Sequence, residues 1–150
     1  MSRTVYKGPN GRQPVTTDAR VCAAALLPCT FVTESATQFA QATAPGTTFL
    51  RLLADRDFYS TAQLDATDPL KTAYASGDTG VAYILEPGQR YLVAVAAATY
   101  TYGQELTVGA AGRAVAAAST NRVIAFAREA GARAAGDLIE VEIAIYYAKA

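Results

Sequence analysis

The strongest pattern in the chain lies near its C-terminal end. Over residues 138–147, Val141, Ile143, Ile145 and Tyr147 fall on one side, and Glu140, Glu142, Ala144 and Tyr146 on the other. A period of two marks a β-strand, because successive side chains point to opposite faces of a sheet. Residues 89–96 alternate the same way, with Tyr91, Val93 and Val95 against Arg90, Leu92 and Ala94. Shorter apolar segments at 81–85, 104–108, 113–115 and 122–127 read as further strands. Turn formers separate them: Ser76-Gly77-Asp78-Thr79-Gly80, Glu86-Pro87-Gly88, Gly109-Ala110-Ala111-Gly112 and a loop over 131–137. In Glu86-Pro87-Gly88 the glycine supplies the positive φ of a type II turn. Short strands with turn signals about every 8–12 residues predict a mainly β fold, a small barrel or sandwich of antiparallel strands with long loops. For residues 112–135 an Ala-rich helix is the competing reading. Ser119-Thr120-Asn121 interrupts it, and Val123-Ile124-Ala125-Phe126 prefers a strand.

The first half is less regular. Residues 1–20 are polar and rich in turn formers around Gly8-Pro9-Asn10-Gly11, and they read as an extended N-terminal arm. Residues 21–150 then form one β-rich domain, which suits the chain length. A short helix could start on the Ala/Leu run after Val21, but Pro28 stops it, and Leu27-Pro28-Cys29-Thr30-Phe31-Val32 reads as a turn feeding a strand. Residues 34–46 read as loop or irregular strand, 47–54 as a strand, and 55–75 as a long loop with a short helix.

Composition narrows the functions. Lys plus Arg and Asp plus Glu both number 13, so the balance is zero. Direct nucleic-acid binding, which leans on a basic footprint, is not expected. No apolar run approaches the roughly 18 residues that span a bilayer, and no cationic cluster feeds an apolar run at the N-terminus, so neither a membrane role nor a signal peptide is expected. Charged residues are only 17% of the chain. That suits a surface partly covered by partners, and it equally suits a plain Ala-rich bias.

Candidate chemistry is sparse. There is no histidine, which removes the usual general base and the commonest metal ligand. Cys22 and Cys29 are too few for a structural zinc site, and they read as unbridged, buried thiols. No glycine pattern matches a phosphate or dinucleotide loop. Asp55 and Asp57, and Glu140 and Glu142, are two apart and could share a strand face. They leave open a carboxylate-dependent hydrolase, with a small-ligand-binding β-barrel as a further alternative; the plainer reading of the glutamates is a solvated face. No catalytic residue, cofactor or metal is assigned.

Nine tyrosines and no tryptophan say more. Tyrosine joins a large apolar ring to one hydrogen-bonding tip, which suits protein interfaces. Tyr91, Tyr100, Tyr102, Tyr146 and Tyr147 fall around the strand-rich half and are the interface candidates. Tyr146 and Tyr147 are adjacent on a strand, so they point to opposite faces.

A series of phrases in the second half resembles the head-decoration (capsid cement) proteins of tailed bacteriophages. It runs through Ala73-Tyr74-Ala75-Ser76-Gly77-Asp78, Leu85-Glu86-Pro87-Gly88-Gln89-Arg90-Tyr91, Tyr102-Gly103-Gln104-Glu105-Leu106 and Gly109-Ala110-Ala111-Gly112-Arg113-Ala114-Val115. It continues with Val123-Ile124-Ala125-Phe126-Ala127-Arg128-Glu129-Ala130 and Gly136-Asp137-Leu138-Ile139-Glu140-Val141-Glu142-Ile143. Upstream, Leu27-Pro28-Cys29-Thr30-Phe31-Val32 is similar to another family phrase, with Cys29 where the family often has glycine. The resemblance spans residues 20–147 and is clearest over 73–147; order and spacing carry it. It implies a non-enzymatic β-barrel-like virion protein. Such a protein would assemble in the host cytoplasm, bind the outer surface of the capsid through the major capsid protein, and associate as a homo-dimer or homo-trimer.

Overall fold

The computed structural model describes residues 5–46, 49–55 and 69–150. Its described residues form strands, turns and single 3-10 turns, with no α-helix. Two sheets carry most of the chain. The first has six strands: β1 (Tyr6–Gly8), β9 (Arg90–Ala94), β15 (Leu138–Ala148), β13 (Arg122–Ala127), β11 (Glu105–Val108) and β12 (Ala114–Ala116), in that order. The second has seven: β2 (Val15–Thr16), β8 (Ala82–Ile84), β6 (Leu50–Leu53), β4 (Phe31–Glu34), β5 (Gln38–Gln41), β3 (Arg20–Cys22) and β7 (Thr79–Gly80). β10 (Ala98–Tyr100) and β14 (Gly131–Arg133) make a separate two-stranded ribbon. Strand pairing is antiparallel except between β3 and β5.

The largest core cluster lies between the two sheets. Phe31, Leu50 and Leu52 come from the seven-stranded sheet; Tyr91, Val93, Leu106, Ile139, Val141 and Ile143 come from the six-stranded one. The expected mainly β fold of short antiparallel strands and long loops is the one that forms, with apolar area from both sheets removed from water in a shared core. A second cluster lies on the other face of the seven-stranded sheet, where Val32, Phe39 and Leu53 pack with Cys22, Leu26, Tyr74 and Ala82. An isolated bridge between Leu26 and Tyr74 ties that cover together. β4 and β6 are therefore buried on both faces, which is why Phe31-Val32 and Leu52-Leu53 are adjacent apolar pairs and do not alternate.

Several elements differ from the sequence expectations. Residues 34–46 contain β5, a full member of the sheet, and the loop over 131–137 opens with β14. The Ala/Leu run after Val21 continues out of β3 and forms no helix. In the Ala-rich stretch 112–135 the leading strand reading holds over the competing helix, with β12 and β13 where strands are expected and β14 in addition. The helix propensity of the stretch is overridden by cross-strand pairing, because Val123, Ile124 and Ala125 are each 0% exposed. The helix expected within 55–75 is one 3-10 turn, Pro69–Lys71, in the described part; residues 56–68 lie outside the described residues.

The expected arm, residues 1–20, is extended in its described part and lies on its own chain. β1 pairs with β9, and Val5 is 0% exposed in the core. β2 pairs with β8, and the Ala82 N–H donates to the Thr17 Oγ1 at 3.2 Å. The polar composition signals exposed side chains, but the backbone still completes an edge of each sheet.

The turn joining β11 to β12 locks the two sheets together. Gly112 has φ +65°, and a Cβ there would fall onto the Phe31 carbonyl oxygen and the Gln41 amide. Only glycine lets this backbone sit against β4. The Gln41 Nε2 donates to the Phe31 carbonyl at 2.8 Å beside it.

Candidate functional site

The two inner-facing tyrosine candidates are structural. Tyr91 sits between Tyr6 and Tyr83, with ring centroids 5.4 and 5.3 Å away. Its hydroxyl donates to the Gln89 Oε1 at 2.7 Å. Burial, with Tyr6, Tyr83 and Glu86 adding to it, pushes its phenol far above the ordinary value. Tyr100 is also buried; its hydroxyl donates to the Ala96 carbonyl at 2.8 Å, and burial again raises its pKa. As contact surface for a partner, the folded chain offers neither ring, which corrects the sequence reading for these two. Strand position alone does not separate a tyrosine that fills the core from one that leaves it.

Tyr102, Tyr146 and Tyr147 are exposed. They lie around the outer side and the far end of the six-stranded sheet. On that outer face, Glu140 pairs with Arg90 at 3.3 Å and with Arg128 at 3.6 Å, and Arg128 reaches Glu142 at 3.0 Å. The Arg128 guanidinium also stands 5.9 Å from the Tyr102 ring centroid. The glutamate pair is thus a strand face neutralised by arginines, not a convergent acid pair. Asp55 is half-buried, and burial raises its carboxyl pKa. Asp57 lies outside the described residues. Among the described residues, no three His, Cys, Asp or Glu side chains group as a metal site.

At the end of β15 the sequence pattern misses what the geometry does. A β-bulge interrupts the β13–β15 ladder: Ala125 faces Ile143, but Val123 faces Tyr147. The extra residues on β15 break the alternation. Ala144 packs with Ala117 and Val123 on the outer face, Ile145 is 75% exposed, and Tyr147 lies beside Phe126 with centroids 6.3 Å apart. Ile145 therefore leaves the inward row of Val141 and Ile143. The Tyr147 hydroxyl donates to the Glu105 Oε2 at 2.7 Å, and this bond, ahead of burial, raises the phenol pKa. Tyr146 is only part-covered; the Arg122 guanidinium lies 6.0 Å from its ring centroid. Burial raises the Tyr146 pKa, and Arg122 and Arg51 oppose the shift. Phe49, 62% exposed, lies under the Arg51 guanidinium at 5.1 Å. An aromatic and arginine-rich rim thus joins the ends of the two sheets, a composition favoured at protein contacts. Phe49, Arg51, Arg122 and Ile145 were not candidates from the sequence. The Phe49-Leu50-Arg51 spacing was its one available signal.

Cys22 and Cys29 are buried thiols in different clusters, with no bridge between them. Cys29 has φ +62°. That is backbone which glycine adopts freely and other residues adopt at a cost, so the position where the resembling family often has glycine makes a glycine-like turn here. A cleft of about 250 Å³ lies beside Leu27, Leu70, Ala94, Arg113 and Leu138.

No family model matches the chain, and no curated protein matches it. Among solved structures, it is similar to the N base of the head fiber gp8.5 of bacteriophage phi29, with a TM-score of 0.58 and 15% identity, over 88% of this chain and 95% of that one. At that identity the likeness is one of fold, a mainly β architecture shared along nearly the whole of both chains.

Proposed function

We propose that the chain is a structural protein of a tailed-phage virion, bound to the outer surface of the capsid and stabilising the shell through contacts with the major capsid protein. The observation that carries this reading is the fold shared with the base of a phage head fiber over 95% of that chain. The ordered phrases of residues 73–147 point the same way. The side chains left outside the core also support it. An exposed rim of Phe49, Tyr102, Ile145, Tyr146 and Tyr147, interleaved with arginines, offers area to a protein surface. On a symmetric shell, many weak copies of such a contact act together, so modest individual affinity gives firm attachment. The role is non-catalytic, needs no cofactor, and places the protein on the virion surface after assembly in the host cytoplasm.

The test uses purified, expanded shells that lack the protein. Added chain is expected to co-sediment with them in a fixed stoichiometry and to raise their disruption temperature. Shells that bind none of it at saturating concentration overturn the reading.

A further inference from the structure

β15 is longer than the sheet that holds it. On one side it pairs with β13 as far as Ala148. On the other side its ladder with β9 covers only Leu138 to Glu142, and the last bonds there are from Ile143 N–H to the Gln89 carbonyl at 2.8 Å and from Gly88 N–H to the Ile143 carbonyl at 2.9 Å. Beyond Ile143, no described residue pairs with that edge. Among the described residues, 144–148 therefore overhang the sheet, with one strand neighbour in place of two.

An edge of this kind presents unpaired N–H and C=O groups in register for another strand. Natural edges are usually blunted by lysine or proline within them. This one reads Ala-Ile-Tyr-Tyr-Ala, with no charge and no proline, and Ile145, Tyr146 and Tyr147 are 75%, 38% and 40% exposed. We propose that the overhang is a strand-addition edge whose partner is the same segment of a second copy of this chain, running antiparallel across a two-fold axis.

The charges that bracket the segment favour that occupant and that direction. Glu142 precedes it and Lys149 follows it. Antiparallel pairing sets the Glu142 end of each copy beside the Lys149 end of the other; parallel pairing sets like beside like. Both residues already hold partners on their own chain, Arg128 at 3.0 Å and Glu105 at 3.6 Å, so the flanks are ordered before a second copy arrives. The segment itself is neutral, and its apolar rings meet without repulsion. Because each copy offers the same patch, the contact closes at two copies and continues the six-stranded sheet into its neighbour. The inference stands apart from the capsid reading, since it needs no shell.

The experiment is the solution mass of the full chain by sedimentation across a concentration series. The wild type is expected to reach twice the 15.7 kDa of one chain. Ile145→Lys, which adds charge at an exposed position, is expected to return the mass to one chain, with its far-ultraviolet strand spectrum unchanged. Val15→Lys, at an exposed position on β2 of the other sheet, is expected to keep the doubled mass. Ile145→Cys supplies a second readout. A short bismaleimide should link two copies of it, and the wild type, whose two thiols are buried, should stay unlinked. A single-chain mass at every concentration overturns the proposal, as does a doubled mass that survives Ile145→Lys. If Ile145→Lys does not fold, the cross-link decides: linked pairs support the edge, and their absence overturns it.

Discussion

In residues 138–143 of β15, every inward side chain meets a partner. Ile139, Val141 and Ile143 are at most 2% exposed, with β9 on one side, β13 on the other and the second sheet above. In residues 144–148 the same strand continues with the same apolar composition, but β9 has ended and a bulge has turned the side chains. Ile145 is then the most exposed large hydrophobic residue among those described. Alternation sets which way a side chain points. Whether anything covers it depends on where the neighbouring strands stop. One half of β15 is enclosed by strands on both sides, and the other half keeps only β13 as a strand neighbour among the described residues.

The contrast can be broken by substitution. Ile143→Ala removes covered apolar volume and is expected to cost about 3 kcal/mol in urea unfolding. A cost near zero would mean that the covered half is not core.

Burial of a phenol also shows at high pH. Burial, with Asp55 and Cys29 adding to it, pushes Tyr83 up to about 12 from the ordinary value of 10.0. The folded chain therefore keeps this proton where the unfolded chain has lost it. The associated stability is complete below pH 10 and is lost as the pH rises from 10 towards 12. Thermal melts between pH 9 and 12, as order-of-magnitude bounds from the phenol range, are expected to show falling stability. Tyr83→Phe should flatten that fall.

A smaller effect sharpens the comparison on the outer face. Arg128→Ala removes the cation shared by Glu140 and Glu142 and is expected to cost about 1 kcal/mol, because the pairs are partly solvated. The smallest effect belongs to the overhang: Ile145→Ala is expected to change the stability of the dilute chain by no more than about 0.5 kcal/mol. If Ile145→Ala cost as much as Ile143→Ala, the two halves would not differ.

Much of the six-stranded sheet could be read from the chain, because its strands obey the simple rule. β13 spans the residues that the pattern marks, and β9 and β15 fall within a residue or two of them. Glycine-bearing turns mark the ends. In the turn at residues 86–88, Gly88 has φ +88° and the Gln89 N–H donates to the Glu86 carbonyl at 3.2 Å. The seven-stranded sheet was harder to see. β4 and β6 are buried on both faces and do not alternate, β2 and β7 have two residues each, and β3 takes a parallel partner. The interface candidates divide for the same reason. Tyr91 and Tyr100 occupy strand positions no different in pattern from those of Tyr146 and Tyr147, and only the placement of the second sheet and of the β10–β14 ribbon decides which rings are enclosed. Cys29 is a further case. Its left-handed backbone, φ +62°, could not be read from the residue, because cysteine stands where glycine would have signalled it.

Imaging of expanded, undecorated shells incubated with the chain tests the central claim most directly. The account predicts ordered density on the outer surface, repeated at symmetry-equivalent sites, into which the two-sheet fold fits with its aromatic rim against the shell or a neighbouring copy. Bare shells in the presence of saturating folded protein would contradict it.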